Sequence, residues 1–177
     1  MYDHLVGDAG SNRIEGGAGD DLLDGQSGDD FLLGGEGADT LTGGAGRDLL
    51  WGREGDDVLD PGAGTGAWQF LFGEAGSDTY RYAKQSGNVF VDHEAELAAA
   101  GDIDRIVFAD LHLDEIDVST IDYSGSTEPQ QEIVLILGWD DGAGRGELRV
   151  AHEGQFVESF DFADGATLTN DDLLALA

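Results

Sequence analysis

From Gly7 to Asp60 the chain divides without a gap into six nine-residue units: GDAGSNRIE, GGAGDDLLD, GQSGDDFLL, GGEGADTLT, GGAGRDLLW and GREGDDVLD. Position one is always glycine, and so is position four, from Gly10 to Gly55. Position six reads Asn12, Asp21, Asp30, Asp39, Asp48 and Asp57; position eight reads Ile14, Leu23, Leu32, Leu41, Leu50 and Leu59. Nine residues cannot bury an apolar side chain alone, so the units must stack on one another as a solenoid. Asp3 and Leu5 already fall in register at positions six and eight. The array therefore begins in mid-repeat, as expected of a piece of a longer polypeptide. After Asp60 the period slips through residues 61–72, which hold a Pro61-Gly62-Ala63 bulge and a degenerate unit from Gly64 to Phe72. The phase returns in GEAGSDTYR, with Asp78 and Tyr80 at positions six and eight.

Each unit has a turn half and a strand half. Glycine permits positive φ and close backbone approach in the turn, while the pair around position eight, such as Val58-Leu59, suits a brief strand. Two units make one coil of 18 residues, and coils stack at roughly 4.8 Å, the inter-strand spacing. Position-eight aliphatics then point inward from both short sheets, and the turns divide between two edges. Residues 18 apart share an edge: Asp3, Asp21, Asp39 and Asp57 form one row, and Asn12, Asp30 and Asp48 the other.

Those rows carry an electrostatic cost. Neighbouring carboxylates about 5 Å apart repel by roughly 1–3 kcal/mol for effective dielectrics between 80 and 20, and a domain's net stability is only about 5–15 kcal/mol. A divalent cation between successive turns reverses the sign. Calcium takes six to eight oxygens in flexible geometry, whereas magnesium keeps more water and demands stricter geometry. Carboxylates and glycine-freed carbonyls therefore favour calcium. The whole chain carries 38 acidic against 8 basic residues, a formal charge of −30, which excludes nucleic acid and anionic membrane surfaces as partners. A solvated acidic tail would not confine its acids to one phase of a repeat.

The stretch GGAGDDLLDGQSGDDFLLGGEGADTLTGGAGRDLL resembles the repeats-in-toxin (RTX, haemolysin-type) calcium-binding nonapeptide repeat. The resemblance implies an all-β fold, a parallel β-roll holding several calcium ions in its turns, in a protein exported by type I secretion machinery from Gram-negative bacteria. Asp21, Asp30, Asp39, Asp48 and Asp57 match the liganding aspartate, with Asp3 and Asp78 matching at the ends of the array. Asn12 departs from it, keeping an oxygen but losing the charge. Gly17, Gly35 and Gly44 match the second glycine, which Asp8, Gln26 and Arg53 replace elsewhere. The position-four glycines Gly19, Gly28, Gly37, Gly46 and Gly55 complete the candidate calcium turns.

The reading divides the chain into a β-roll over 1–82, irregular at 61–72, and a β-rich capping region over 83–177. Strands are expected at Asn88 to Val91, Ile103 to Phe108, Glu115 to Ile121, Ile133 to Leu137, Glu147 to Ala151 and Phe156 to Phe162. A short helix is expected from Asp92 to Gly101 and a turn at Asp140 to Gly144. Thr169-Asn170-Asp171-Asp172 resembles a capping box. The phrase FDFADGATLTNDDLLAL resembles the end of many RTX C-terminal regions and, with a start that lacks a signal peptide, points to a C-terminal export signal. Trp68, Phe70, Phe72, Tyr80 and Tyr82 read as core aromatics at the junction; a sugar-stacking strip with Trp51 or Trp139 is the rival.

Catalytic motifs are missing. His4, His93, His112 and His152 lack the H-E-x-x-H spacing, no G-x-S-x-G elbow occurs, and the glycine-rich turns lack a Walker lysine. There is no cysteine. The expectation is a non-enzymatic calcium-binding module of a secreted protein, folding on calcium after export and serving the upstream domains of a larger toxin, hydrolase or adhesin. The alternative is a polysaccharide-binding module of an extracellular carbohydrate-active enzyme or adhesin.

Overall fold

A computed structural model describes residues 1–64, 66–92, 102–122, 133–140, 145–152 and 157–176. The nonamers alternate between two sheets. One sheet takes His4–Val6, Leu22–Asp24, Thr40–Thr42, Val58–Asp60 and Thr79–Tyr82, all parallel. The other takes Arg13–Ala18, Phe31–Glu36, Leu49–Glu54 and Trp68–Ala75, also parallel. This is a parallel β-roll.

The register is the 18-residue offset that the period requires. Leu5, Leu23, Leu41 and Leu59 lie side by side in one sheet, and Ile14, Leu32 and Leu50 in the other. Leu23, Leu32, Leu41, Leu50 and Leu59 are all completely buried, each burial stabilising by about 1.5–3 kcal/mol. Leu5 and Ile14, on the first coil, are only partly buried. The two kinds of unit differ: one forms three-residue strands and the other six-residue strands that run into the turn.

The degenerate unit is a coil half in its own right. Leu71 pairs with Leu50, so Gly64 to Phe72 keeps the phase, with Gln69 at position six and Leu71 at position eight. The Pro61-Gly62-Ala63 insertion widens the spacing between Asp57 and Asp78 to 21 residues without moving either out of line. Tyr80 takes the next place in the leucine column, beside Leu59.

Strands from either side of Tyr82 share the two sheets. Asp104–Phe108 and Val157–Asp161 extend the first in parallel, and Thr167–Leu168 closes it antiparallel. Asn88–Asp92 and Arg145–His152 extend the second in parallel, followed by Ile133–Asp140 and Ile116–Asp122 as an antiparallel meander. Thus all six strands expected in this half are present. The expected helix lies outside the described residues except for Asp92, which ends a strand. The expected turn also lies outside them beyond Asp140, whose strand pairs antiparallel with the one starting at Arg145. Thr169 caps Asn170–Leu174: its Oγ1 accepts the Asp172 N–H at 3.2 Å, and Asp172 Oδ2 accepts the Thr169 N–H at 3.0 Å.

The aromatic reading needs a correction. Tyr80, Tyr82 and Trp139 are core residues, with Tyr82 edge-on to Phe108 and to Trp139. Trp68, Phe70 and Phe72 are not. Along their strand the inward places fall to Gln69 and Leu71, so the three aromatics face outward. Phe72 packs on Trp51, and Trp51 on Phe31. Guanidinium groups of Arg13, Arg53 and Arg149 cover Phe31, Trp51 and Trp68 at 4.5, 4.7 and 4.5 Å.

Candidate metal centre

The turns place every position-six residue on one of two edges. Along the first edge run Asp3, Asp21, Asp39, Asp57 and Asp78; along the second run Asn12, Asp30 and Asp48. Asp21, Asp30, Asp39, Asp48, Asp57 and Asp78 are at most 3% exposed. Adjacent coils are tied together by one oxygen of these carboxylates. Oδ1 of Asp21 accepts the Asp3 backbone N–H at 2.6 Å, Asp39 accepts from Asp21 at 2.7 Å, and Asp57 accepts from Asp39 at 2.7 Å. The second row repeats this, with Asn12 donating to Asp30 at 2.8 Å and Asp30 to Asp48 at 3.0 Å. One oxygen each of Asp21, Asp30, Asp39, Asp48 and Asp57 therefore ties two coils together.

The other oxygen is the chemically informative one. Oδ2 of Asp21, Asp30, Asp39, Asp48 and Asp57 is buried with no hydrogen-bond partner. A buried charged oxygen without a partner is expensive. Each lies over the position-one glycine of its own turn, beside a carbonyl of the next coil. A methyl group on Gly16 would lie 2.7 Å from Asp21 Oδ2 and 2.8 Å from the Gly34 carbonyl oxygen. On Gly25 the corresponding distances are 2.5 Å to Asp30 Oδ2 and 2.6 Å to the Gly43 carbonyl; on Gly43 they are 2.6 Å to Asp48 Oδ2 and 2.8 Å to the Pro61 carbonyl. A carboxylate oxygen and a carbonyl oxygen thus flank the same glycine, a donor set suited to a hard, oxygen-seeking cation. Among the described residues no three His, Cys, Asp or Glu side chains converge, so an ion here would draw on carbonyls besides the carboxylate.

Burial sets the electrostatics. It pushes the carboxyl of Asp57 up to about 8, opposed by the Asp39 hydrogen bond and helped by the charges of Asp78 and Asp39. Asp48 is pushed up to about 6, again first by burial and then by Asp30 and Asp29. Asp30 and Asp39 are raised for the same leading reason.

The glycines divide into two kinds. Position-four glycines Gly19, Gly28, Gly37, Gly46 and Gly55 all have φ between 115° and 149°, a region closed to side chains without strain. At position two, Gly17, Gly35 and Gly44 have φ of 103°, 126° and 100°, but Gln26, Arg53 and Glu74 adopt 70°, 89° and 70° with side chains in place. The second glycine is thus a preference, whereas the fourth is required in these five turns.

The rows hold more than the repeats announce. Asp78 donates its backbone N–H to Asp104 Oδ1 at 2.7 Å, and Asp104 to Glu158 Oε2 at 2.6 Å, so the first row continues past the last nonamer. Asp104-Arg105-Ile106 keeps the spacing of an acid two residues before a core residue, with Ile106 completely buried, and that phase is the signal that could have found it. An outer ladder runs alongside: Asp20, Asp29 and Asp56 at position five accept the backbone N–H of Ala38, Arg47 and Ser77 at 3.0, 3.0 and 2.9 Å.

The RTX calcium-binding nonapeptide repeat family matches residues 3–32 and 33–66, four copies in all. No curated protein matches the chain. Among solved structures, the crystal structure of extracellular lipase LipA from Serratia marcescens aligns over 97% of this chain at 14% identity and a TM-score of 0.32, and this chain spans 39% of the lipase chain. The nonamer phase, the parallel β-roll and the family match agree: residues 3–66 of this chain are RTX calcium-binding nonapeptide repeats.

Proposed function

We propose that this chain is a folding and stabilising module of a larger exported protein, with calcium held in its turns by Asp3, Asp21, Asp30, Asp39, Asp48, Asp57 and Asp78 and by glycine-turn carbonyls, and more weakly beside Asn12. The observation that carries this is the set of buried Oδ2 atoms without a partner at Asp21, Asp30, Asp39, Asp48 and Asp57. Without a cation, each such oxygen faces a carbonyl oxygen in a poorly hydrated turn, and the surrounding charge of −30 opposes compaction. With calcium, the same oxygens become ligands and the coils close. Extracellular calcium modules bind at about 10⁻⁴–10⁻³ M, above the calcium level of a cytosol. The chain would thus stay expanded before type I export and fold outside the cell. Residues 83–177 act as the cap, their core covering the last coil, which would otherwise expose an apolar end and open strand edges. Binding and folding are the roles assigned, and catalysis belongs to other domains of the parent protein. Calorimetric titration tests this. Calcium should bind at several coupled sites, magnesium at the same concentrations should not fold the chain, and an absence of calcium heat at millimolar concentration would refute it.

A second reading is supported by the outward-facing Trp68, Phe70 and Phe72: a polysaccharide partner stacking on that face. Glycan-array binding at constant, saturating calcium would detect it, with loss of signal in Phe70→Ala.

A further inference from the structure

The second row ends on a residue of different chemistry. Phe70 pairs with Leu49 and Leu71 with Leu50, so Gln69 holds the place of the row aspartate in the coil after Asp48. Gln69 is completely buried, and its Nε2 donates to the Ser86 carbonyl at 2.9 Å. Gly64 is the position-one glycine of that turn. A methyl group there would meet the Ser86 carbonyl oxygen and, at 2.9 Å, Gln69 Nε2. At Gly16, Gly25 and Gly43 the same two places are held by a carboxylate Oδ2 and the carbonyl of Gly34, Gly43 and Pro61. In those turns oxygen faces oxygen. In this one an N–H faces oxygen across a hydrogen bond, while Gln69 Oε1 is left buried without a partner.

We propose that Gln69 closes the calcium array of the second row: its amide group stands where the other turns need a cation, and this rung folds without metal. The inference rests on reading the carboxylate–carbonyl pairs as calcium sites. A cation at this rung would meet the positive end of the amide dipole, and no carboxylate at position six compensates its charge. To admit one, Gln69 would have to turn its amide over and abandon the Ser86 carbonyl. The first row has no such stop, since carboxylates continue from Asp57 through Asp78 and Asp104 to Glu158. A metal-independent rung at Gln69 therefore offers the Asp48 turn a formed neighbour before calcium arrives.

Counting bound calcium on the full-length chain by native mass spectrometry, for wild type, Gln69→Asp and Gln69→Met, tests this. Gln69→Asp should bind one ion more than wild type. Gln69→Met should bind the wild-type number while melting at lower temperature in saturating calcium, because the Ser86 carbonyl loses its donor while every metal site is kept. A folded Gln69→Asp with the wild-type count overturns the proposal. So does a Gln69→Met that binds one ion fewer, since Gln69 would then be a ligand through Oε1. If Gln69→Asp fails to fold at saturating calcium, the Gln69→Met count decides alone. Failure of the underlying reading looks different: wild type would bind no calcium, or Asp39→Asn would keep the full count.

Discussion

The backbone N–H of Asp39 donates to Oδ1 of Asp57 across the coil interface at 2.7 Å, so a row carboxylate holds its neighbour's backbone through one oxygen and leaves the other for the proposed metal. Asp39 itself accepts from Asp21 at 2.7 Å, whereas Asp3 begins the row and only donates. Removing Asp39 therefore costs a charge-assisted hydrogen bond, about 1.5–3 kcal/mol, in addition to a proposed calcium ligand. Asp39→Ala should raise the calcium midpoint by about tenfold or more and Asp3→Ala by much less, as read from calcium titrations followed by circular dichroism. Equal shifts for the two variants would contradict the row arrangement.

On the proposed calcium sites, protons and calcium would compete for the same oxygens. The carboxyls of Asp57 and Asp48, raised to about 8 and about 6 from the ordinary value of 3.8, bind more protons in the folded chain than in the unfolded one between pH 4 and 8. Stability in chelator is therefore highest at the acid end and falls as pH rises through that window. Between pH 6 and 8 ordinary carboxylates are already ionised, so the slope there belongs to Asp57 above all. Asp57→Asn should flatten it and stabilise the calcium-free chain at pH 7.5. An unchanged pH dependence of the residual β signal in chelator for that variant would remove Asp57 from the account. In the presence of calcium the dependence reverses, and the calcium midpoint should rise as pH falls.

Two glycines at the same repeat position separate backbone strain from collision. Gly17 and Gly35 both have positive φ, but a methyl group on Gly17 meets nothing within 4 Å, whereas on Gly35 it would strike the Gly17 carbonyl. Gly17→Ala should cost only the left-handed strain, about 1–2 kcal/mol. Gly35→Ala should cost clearly more, because the coil spacing itself must open. Thermal melts in saturating calcium measure the difference, and equal losses would show that collision is not the cause.

How far these features could be read in advance depends on what each one rests upon. The leucine columns, the two rows and the seating of Gln69 follow from the nine-residue period, because a fixed period with a fixed strand spacing leaves one register. The Oδ1 hydrogen bonds do not follow from it, since they depend on the axial offset between a carboxylate and the amide of the preceding coil. Asp104 escaped because the glycines that frame a turn are missing before it, leaving only its spacing to Ile106. Trp68, Phe70 and Phe72 depart from the core reading for a simpler reason. Aromatic bulk suggested a core, but strand alternation gives the inward places to Gln69 and Leu71. Gln26, Arg53 and Glu74, left-handed with full side chains, show that the turn overrides residue preference at position two.

Folding should start at the C-terminal side of the roll. Tyr82, Phe108, Trp139 and Phe162 form an aromatic core there, while Leu5 and Ile14 at the other end are only partly covered. The regular nonamers are nearly interchangeable and fix no starting register, and the first coil loses its freedom before any neighbour offers burial. At limiting calcium, hydrogen exchange should show protection of the Tyr80 and Val91 amides before those of Leu23 and Leu32. Simultaneous protection along the whole roll, or protection beginning at Leu23, would mean that the C-terminal core is not the nucleus.

The most direct measurement is circular dichroism of the full-length chain in excess chelator, followed by addition of calcium. The unpartnered Oδ2 atoms of Asp21, Asp30, Asp39, Asp48 and Asp57 require a largely unfolded spectrum at neutral pH without calcium. A cooperative conversion to a β-rich spectrum should follow at submillimolar to millimolar calcium. A full β spectrum in chelator, unchanged by calcium, would contradict calcium-driven folding outright.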